Sequence, residues 1–326
     1  MLSELDPVDI DALFSNKIVE EGFSSITLIE KNQHLSLPFA ELKAQNWWFE
    51  GIRIGYSDWI FQKDCEFDWQ GNLDVVTLFF NLRGKTSTNL NVCGNNFELG
   101  NYQHNLFYFP HSHGKIRNHD LRLTNFMVQF TVESFVRLTA GASGVLKEFS
   151  DAVSLGKPGA LSETNLYADG KMLGVIDTIL NCSYREEVKK MFLLSKCLEL
   201  LVLQTEACYN VRTVSSAFIK NDYDKERILY AREYLLQHMG NPPGLAELSR
   251  LAGINEFKLK KGFKEMFGNS VFGYLSDARL ETAKNLMLDK QKSIGEIALE
   301  LGYSSTQHLN NSFKKKFGIT PGRLRG

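Results

Sequence analysis

"LGYSSTQHLNNSFKKKFGITP", Leu301 to Pro321, stands near the end of the chain, and fifty residues earlier the sequence reads "LAGINEFKLKKGFKEMFGNSV", Leu251 to Val271. Aligned on Leu259 and Leu309, the two stretches share Phe263 with Phe313, Lys264 with Lys314, Phe267 with Phe317 and Gly268 with Gly318. Upstream, Leu248, Leu251 and Gly253 match Ile297, Leu301 and Gly302 with a one-residue slip, which a turn absorbs. The residue types say what each copy forms. A short helix starting near Leu245 stops at Gly253, where a left-handed turn costs glycine little. Asn255, and Ser304 or Ser305, are good N-caps for the helices that follow. Gly268 and Gly318 end those helices, and Thr320 with Pro321 begins another.

Each copy therefore reads as a short helix, a glycine turn and a longer basic helix, which is a helix-turn-helix written twice. Two amphipathic helix pairs in an all-helical core are the plainer alternative, with Phe263, Phe267, Phe313 and Phe317 as core in either case. Ser270 to Asp289 is helical throughout and would span roughly 30 Å. One turn of DNA is about 34 Å. A rigid connector of that length predicts two recognition helices in successive major grooves.

The rest of the chain divides to match. From Asp222 onward there are 17 Lys and Arg against 12 Asp and Glu, while the remainder has 20 against 26. The basic third points to nucleic acid. With 326 residues, 43% hydrophobic and 23% charged, the chain is long enough for two globular domains. No run approaches the roughly 18 apolar residues of a membrane span, and "MLSELDPVDIDALF" lacks the features of a signal peptide, which predicts a cytoplasmic protein. Cys65, Cys93, Cys182, Cys197 and Cys208 form no metal or redox spacing and read as reduced thiols.

From about Ala40 to Phe130, short aromatic-rich runs such as "DVVTLFFNL" and "LTNFMVQFTV" predict an antiparallel barrel or sandwich. Lys171 to Leu180 and Arg185 to Ala207 carry helical periodicity, the second with a stripe of Val188, Met191, Leu194 or Ser195, Leu198, Leu201 and Val202. "YNVRTVSSAFIKND", Tyr209 to Asp222, reads as a polar linker, and "DKERILYAREYLLQHM" as a helix ended by "GNPPG". In "FPHSHGKIRNH", His111, His113 and His119, joined by His104, resemble a clustered imidazole set, but no glutamate follows the HxH pair before His119. We read them as turn or pocket groups with no metal, a metal site being the alternative. Trp47, Trp48, Trp59 and Trp69 line a pocket for a flat ligand or pack in the core. His111, His113, Trp47 and Trp59 are the candidate effector residues. No catalytic set and no cofactor motif is present.

"IALELGYSSTQHLNNSFKKKFGITPGRLR" resembles the signature of the AraC/XylS family of bacterial transcription regulators: an Ile-Ala pair, Leu-Gly-Tyr, a serine-rich cap, a basic Phe-Lys helix, Phe-Gly and Thr-Pro. The resemblance covers Asp222 to Gly326 and departs at Leu309, where the family carries phenylalanine. "KLKKGFKEMFGNSVFGYLSDARLETAKNLM" and "ILNCSYREEVKKMFLLSKCLELLVLQTEA" are similar to the branch typified by the pyochelin regulator.

The resemblance implies an α+β chain: a cupin-like β-barrel that binds an effector (1–165), a helical dimerisation segment (166–210), a linker (211–222) and an all-α domain with two helix-turn-helix modules (223–326). By position it assigns base reading to Phe257, Lys260 and Lys261 in the first module, and to Thr306, Gln307, Asn310 and Asn311 in the second. The chemistry agrees, since lysine reaches guanine, Gln and Asn pair with adenine, and Phe or Thr packs on a thymine methyl. Lys258, Lys264, Lys314, Lys315 and Lys316 are expected on phosphates. The implied function is a ligand-responsive transcription regulator, an activator and not an enzyme. Its implied partners are double-stranded DNA, RNA polymerase, a second copy of itself and a small effector such as a ferric siderophore or aromatic metabolite. A cupin-class metal enzyme fused to a DNA-binding domain, and a ligand-independent DNA binder, stay open as alternatives.

Overall fold

A computed structural model describes residues 22–71, 73–91, 97–213, 218–219, 222–289 and 292–325. The chain divides into two compact units, one rich in strands and completed by Val175–Thr213, the other holding the C-terminal helices. Cys93 and residues 214–217, 220 and 221 of the expected linker lie outside the described residues.

The first unit carries twelve described strands: β1 (Ile29–Leu37), β2 (Ala40–Phe49), β3 (Ile52–Phe61), β4 (Cys65–Gly71), β5 (Val75–Arg83), β6 (Thr86–Leu90), β7 (Phe97–Leu99), β8 (Gln103–Tyr108), β9 (Ser112–Asn118), β10 (Arg122–Thr131), β11 (Gly159–Ala160) and β12 (Leu166–Tyr167). Its helices are α1 (Val132–Leu138), α2 (Gly144–Ser154), α3 (Gly170–Leu180, of which the residues up to Gly174 group with the other unit) and α4 (Glu186–Thr213). An eight-stranded sheet runs β1-β2-β3-β10-β5-β8-β11 with β12 also on β8, and a second sheet runs β4-β9-β6-β7. Of the expected barrel or sandwich, the described residues give two antiparallel sheets and no closed barrel. The large sheet stays open, because β1 sits at one edge and the two-residue strands β11 and β12 are too short to close the other.

The β2–β3 hairpin sets the register of the large sheet. Glu50 and Gly51 both have positive φ, 47° and 76°, as a two-residue hairpin turn matching strand twist requires. A side chain on Gly51 would meet Ser134 Oγ at 2.2 Å. Pairing then runs Trp47–Ile54–Val128–Leu78–Leu106 across the sheet, and all five side chains are buried. Helices cover this face. Phe135 of α1 packs on Phe130 and on Phe149 of α2, and α4 adds a buried row of Leu193, Cys197, Leu200, Leu201, Gln204 and Cys208. The opposite edge of α4 is bare, with Val188, Met191 and Val202 58%, 69% and 65% exposed. The helix continues to Thr213, past the expected linker start, because Val211, Arg212 and Thr213 contain no breaker.

The second unit contains α5 (Asp222–Gln237), α6 (Leu245–Ala252), α7 (Glu256–Phe267), α8 (Val271–Asp289), α9 (Ile294–Glu300), α10 (Thr306–Phe317) and α11 (Pro321–Arg325). The 19-residue α8 serves two cores. Its start, with Tyr274, meets Phe263 and Phe267 of α7, while Leu280, Ala283 and Met287 join Ile297, Leu301, Leu309 and Phe313. No helix among the described residues is long and apolar enough to cross a membrane.

Candidate nucleic-acid interface

The two helix pairs, α6–α7 and α9–α10, are built on the same local chemistry. Gly253 ends α6 in the left-handed region, and the Asn255 side chain accepts from Lys258 N at 2.8 Å to start α7. In the second pair, Ser293 and Glu296 form a capping box at α9, Gly302 makes the left-handed turn, and Ser305 accepts from His308 N to start α10. Gly268 and Gly318 close α7 and α10 in the same conformation. Leu259, Phe263, Leu309 and Phe313 are fully buried, which fixes the rotation of each long helix and decides which side chains face water.

On α7 the outward residues include Phe257, 62% exposed, with Lys260, Lys261 and Lys264. Lys260 lies 3.5 Å from Glu256 on the helix surface. Phe218, which precedes α5, stands edge-on to Phe257 at 5.8 Å and lies 5.5 Å from Lys261 Nζ. One flank of α7 thus carries an aromatic pair. On α10, Thr306, Gln307 and Asn311 are exposed, while Asn310 is half-buried with its Oδ1 buried and without a hydrogen-bond partner. Lys314, Lys315 and Lys316 lie in the last turn, where cations also favour the helix C-terminus.

Two of the five lysines expected on phosphates are tied down within the unit. Lys258 Nζ is 2.9 Å from Oδ1 of Asp224, a carboxylate only 3% exposed, so it anchors α7 to α5. Lys316 Nζ lies 3.3 Å from Asp277 Oδ1 and donates to the Asp277 carbonyl, which anchors α10 to α8. Lys264, Lys314 and Lys315 are exposed and form no ion pair among the described residues. The two pairings were not legible in the chain, because the partners are 34 and 39 residues apart.

In the first unit the candidate effector residues are scattered. Trp47 is buried on the helix-covered face, with Lys189 of α4 5.9 Å from its ring. Trp59 stacks on Phe61 at 5.6 Å within a small apolar cluster. His111 and His113 are exposed near the start of β9, and His119 bonds Ser87 Oγ at 2.8 Å through Nε2. His104 is buried against Phe80, and burial lowers its pKa to about 3. No group of three or more His, Cys, Asp or Glu among the described residues could hold a metal ion. A shallow groove of about 600 Å³ runs along β1–β3, lined by His34, Lys43, Tyr56 and Asp58 among others, and none of the four candidates lines it. A residue the sequence reading left out is Arg53, held on the other face of β3 by Asn46 and Gln129.

Comparison with known proteins fits this division. Residues 45–217 match the family described as the regulatory protein PchR N-terminal domain, and residues 248–326 match a helix-turn-helix domain. The regulatory protein PchR of Pseudomonas aeruginosa is 33% identical over 124 residues, 38% of this chain and 42% of that protein. The HTH-type transcriptional regulator ExsA of the same species is 33% identical over 92 residues, 28% of this chain and 33% of that protein. The chain thus spans less than half the length of the curated relatives it matches. Among solved structures, a transcriptional regulator with an AraC-type DNA-binding domain from Chromobacterium violaceum is 26% identical, covering 32% of this chain and 94% of that one, at a TM-score of 0.30.

Proposed function

The chain belongs to the AraC family of regulators, its N-terminal part to the PchR-type domain family, and from that premise we propose that it is a ligand-responsive, sequence-specific DNA-binding transcription regulator. The observation that carries the reading is the repetition: α7 and α10 are equally capped, equally buried through Leu and Phe, and joined by the single helix α8. Nineteen residues of α-helix span about 28 Å, close to the roughly 34 Å of one DNA turn. Each pair acts as a helix-turn-helix module that places its second helix in a major groove. Phe257, Lys260 and Lys261 read bases in one groove, and Thr306, Gln307 and Asn311 in the next, with Asn310 turned partly inward. Lys264, Lys314 and Lys315 contact phosphates directly, while Lys258 and Lys316 brace the helices.

The strand-rich unit is a cupin-like sensor whose two sheets enclose the effector, and the protein acts in the cytoplasm as an activator that meets RNA polymerase. Val188, Met191, Ser195, Leu198 and Val202 repeat at heptad spacing on the bare edge of α4, which suits a seam between two copies. Selecting duplexes from a random pool with the full chain tests the regulator reading. A recovered consensus bound about 10³-fold or more above random DNA is expected, and recovery of no consensus refutes it. A charged residue at Leu198 should give a folded monomer in sedimentation; a wild type that is itself monomeric at high concentration removes the seam.

A further inference from the structure

The face of the large sheet opposite the helices holds a cation with no anion among the described residues. Arg53 Nε and Nη2 donate to Asn46 Oδ1 at 3.2 and 2.9 Å, and Nη1 donates to Gln129 Oε1 at 3.0 Å. All three contacts end on neutral amide oxygens, and Arg53 forms no ion pair among the described residues. A guanidinium has five N–H groups, so two remain without an acceptor among the described residues. Burial alone lowers its pKa to about 10, with no neighbouring charge acting to restore it. Charges drawn out of water are ordinarily paired, and among the described residues this half-buried one is not.

The surroundings are organised around that group. Gln129 Nε2 donates to Thr77 Oγ1 at 3.3 Å, which turns the Gln129 oxygen towards Arg53. Trp48 stacks near the guanidinium, 5.7 Å from Cζ to the ring. Arg53, Gln129 and Thr77 pair across β3, β10 and β5, and the next row on the same face is Gly55, Met127 and Phe79. At Gly55 a side chain would stand 3.3 Å from Asn46 Oδ1 and 3.2 Å from Met127 Cγ, so its absence leaves the acceptor unhindered. Arg53, Gln129, Thr77, Met127 and Phe79 are only half-buried, whereas Ile54, Val128 and Leu78 on the other face are sealed. Phe107, in the same row as Arg53, meets Phe97 of β7 at 4.7 Å, so this face looks towards the second sheet. The cation is packed among these side chains, yet like them it keeps part of its surface exposed.

We infer that Arg53, oriented by Asn46, Gln129 and Thr77, is a carboxylate-binding cradle, and that its ligand is an organic acid whose aromatic body lies against Met127 and Phe79. One guanidinium neutralises one negative charge, which suits a carboxylate better than a phosphate dianion, and its remaining N–H groups can pair with carboxylate oxygens. The thioether and phenyl groups supply an apolar wall for a ring. Calling this acid the effector rests on the regulator reading above; the binding itself does not.

The test uses the full chain with 2-naphthoate and its neutral counterpart 2-naphthamide, by calorimetry or ligand-observed NMR. Wild type should prefer the acid by about 10- to 100-fold, as hydrogen bonds to a charged group imply. Arg53→Met should bind the two alike, with some loss of melting temperature because Asn46 Oδ1 and Gln129 Oε1 lose their donors. Arg53→Lys should retain a weaker preference for the acid. Wild type that binds neither compound or does not discriminate, or Arg53→Met that keeps the preference, overturns the proposal. If Arg53→Met fails to fold, Arg53→Lys decides: an undiminished preference for the acid overturns it. Both variants should bind the wild type's selected duplex normally without ligand. A wild type that selects no DNA but prefers naphthoate would remove the regulator reading and leave the cradle in place.

Discussion

The first and second helix pairs share a scaffold and differ in what they do with it. Gly253 and Gly302 occupy equivalent turns with φ of 69° and 72°, but their surroundings are unlike. A Cβ on Gly253 would meet nothing nearer than Tyr223 Oη at 3.6 Å, whereas one on Gly302 would sit 2.1 Å from the Gly240 carbonyl oxygen. Conformation alone calls for the first glycine; conformation and a backbone approach both call for the second. The outward faces diverge too. The first presents lysines and a phenylalanine, the second amides and a threonine. A repeated frame can therefore carry two different reading chemistries, because the buried Leu and Phe positions fix orientation without constraining the exposed ones.

The largest effect that would break or sharpen this contrast lies at the turns. Left-handed strain costs a non-glycine residue about 1–2 kcal/mol, so Gly253→Ala should lower the stability of its pair by that amount. Gly302→Ala adds the collision with Gly240 and should cost more than about 3 kcal/mol. Hydrogen exchange resolved by segment would read this, and equal losses in the two variants would show that the close approach is relieved without strain.

Next comes the position one before the buried leucine, Lys258 in the first copy and His308 in the second. Lys258→Met removes one cationic partner of the buried Asp224 and should destabilise the first pair by about 1–2 kcal/mol. That lies between the values for buried and surface pairs, because the lysine itself is 38% exposed. His308→Met, at an exposed site, should change stability by less than about 0.5 kcal/mol.

The finest distinction is in salt dependence. Alanine at Lys260, Lys261, Gln307 or Asn311 should each weaken specific DNA binding by about 1–3 kcal/mol. The amide variants should leave the slope of log K against log salt unchanged. A lysine that also neutralises a phosphate would lower that slope by about 0.9. Titration of each variant across salt concentrations separates base reading from phosphate contact residue by residue.

Much of the second unit was legible because its signals are local. A glycine after an apolar stretch, a cap two residues on and a phenylalanine one turn after leucine all act within a few residues, and they placed both pairs. What escaped depends on distance along the chain. Asp224 meets Lys258 only after α5 folds back on α7, and nothing near either residue announces it. Arg53 sits in "IRIGYSDWIF", within the range read as strand-rich, but its partner Gln129 is 76 residues away. That contact exists only once β3 and β10 are in register. The histidines show the same limit: of the three in "FPHSHGKIRNH" only His113 lies within β9, and His119 bonds Ser87, 32 residues away.

Hydroxyl-radical footprinting of the full chain on a selected duplex tests the central claim most directly, that two unlike reading heads act together from one rigid chain. The account predicts two protected segments per chain, about one helical turn apart and on one face of the DNA. Gln307→Ala with Asn311→Ala should weaken one segment, and Lys260→Ala with Lys261→Ala the other. A single protected segment per chain, or both segments fading equally with either pair of substitutions, would contradict it.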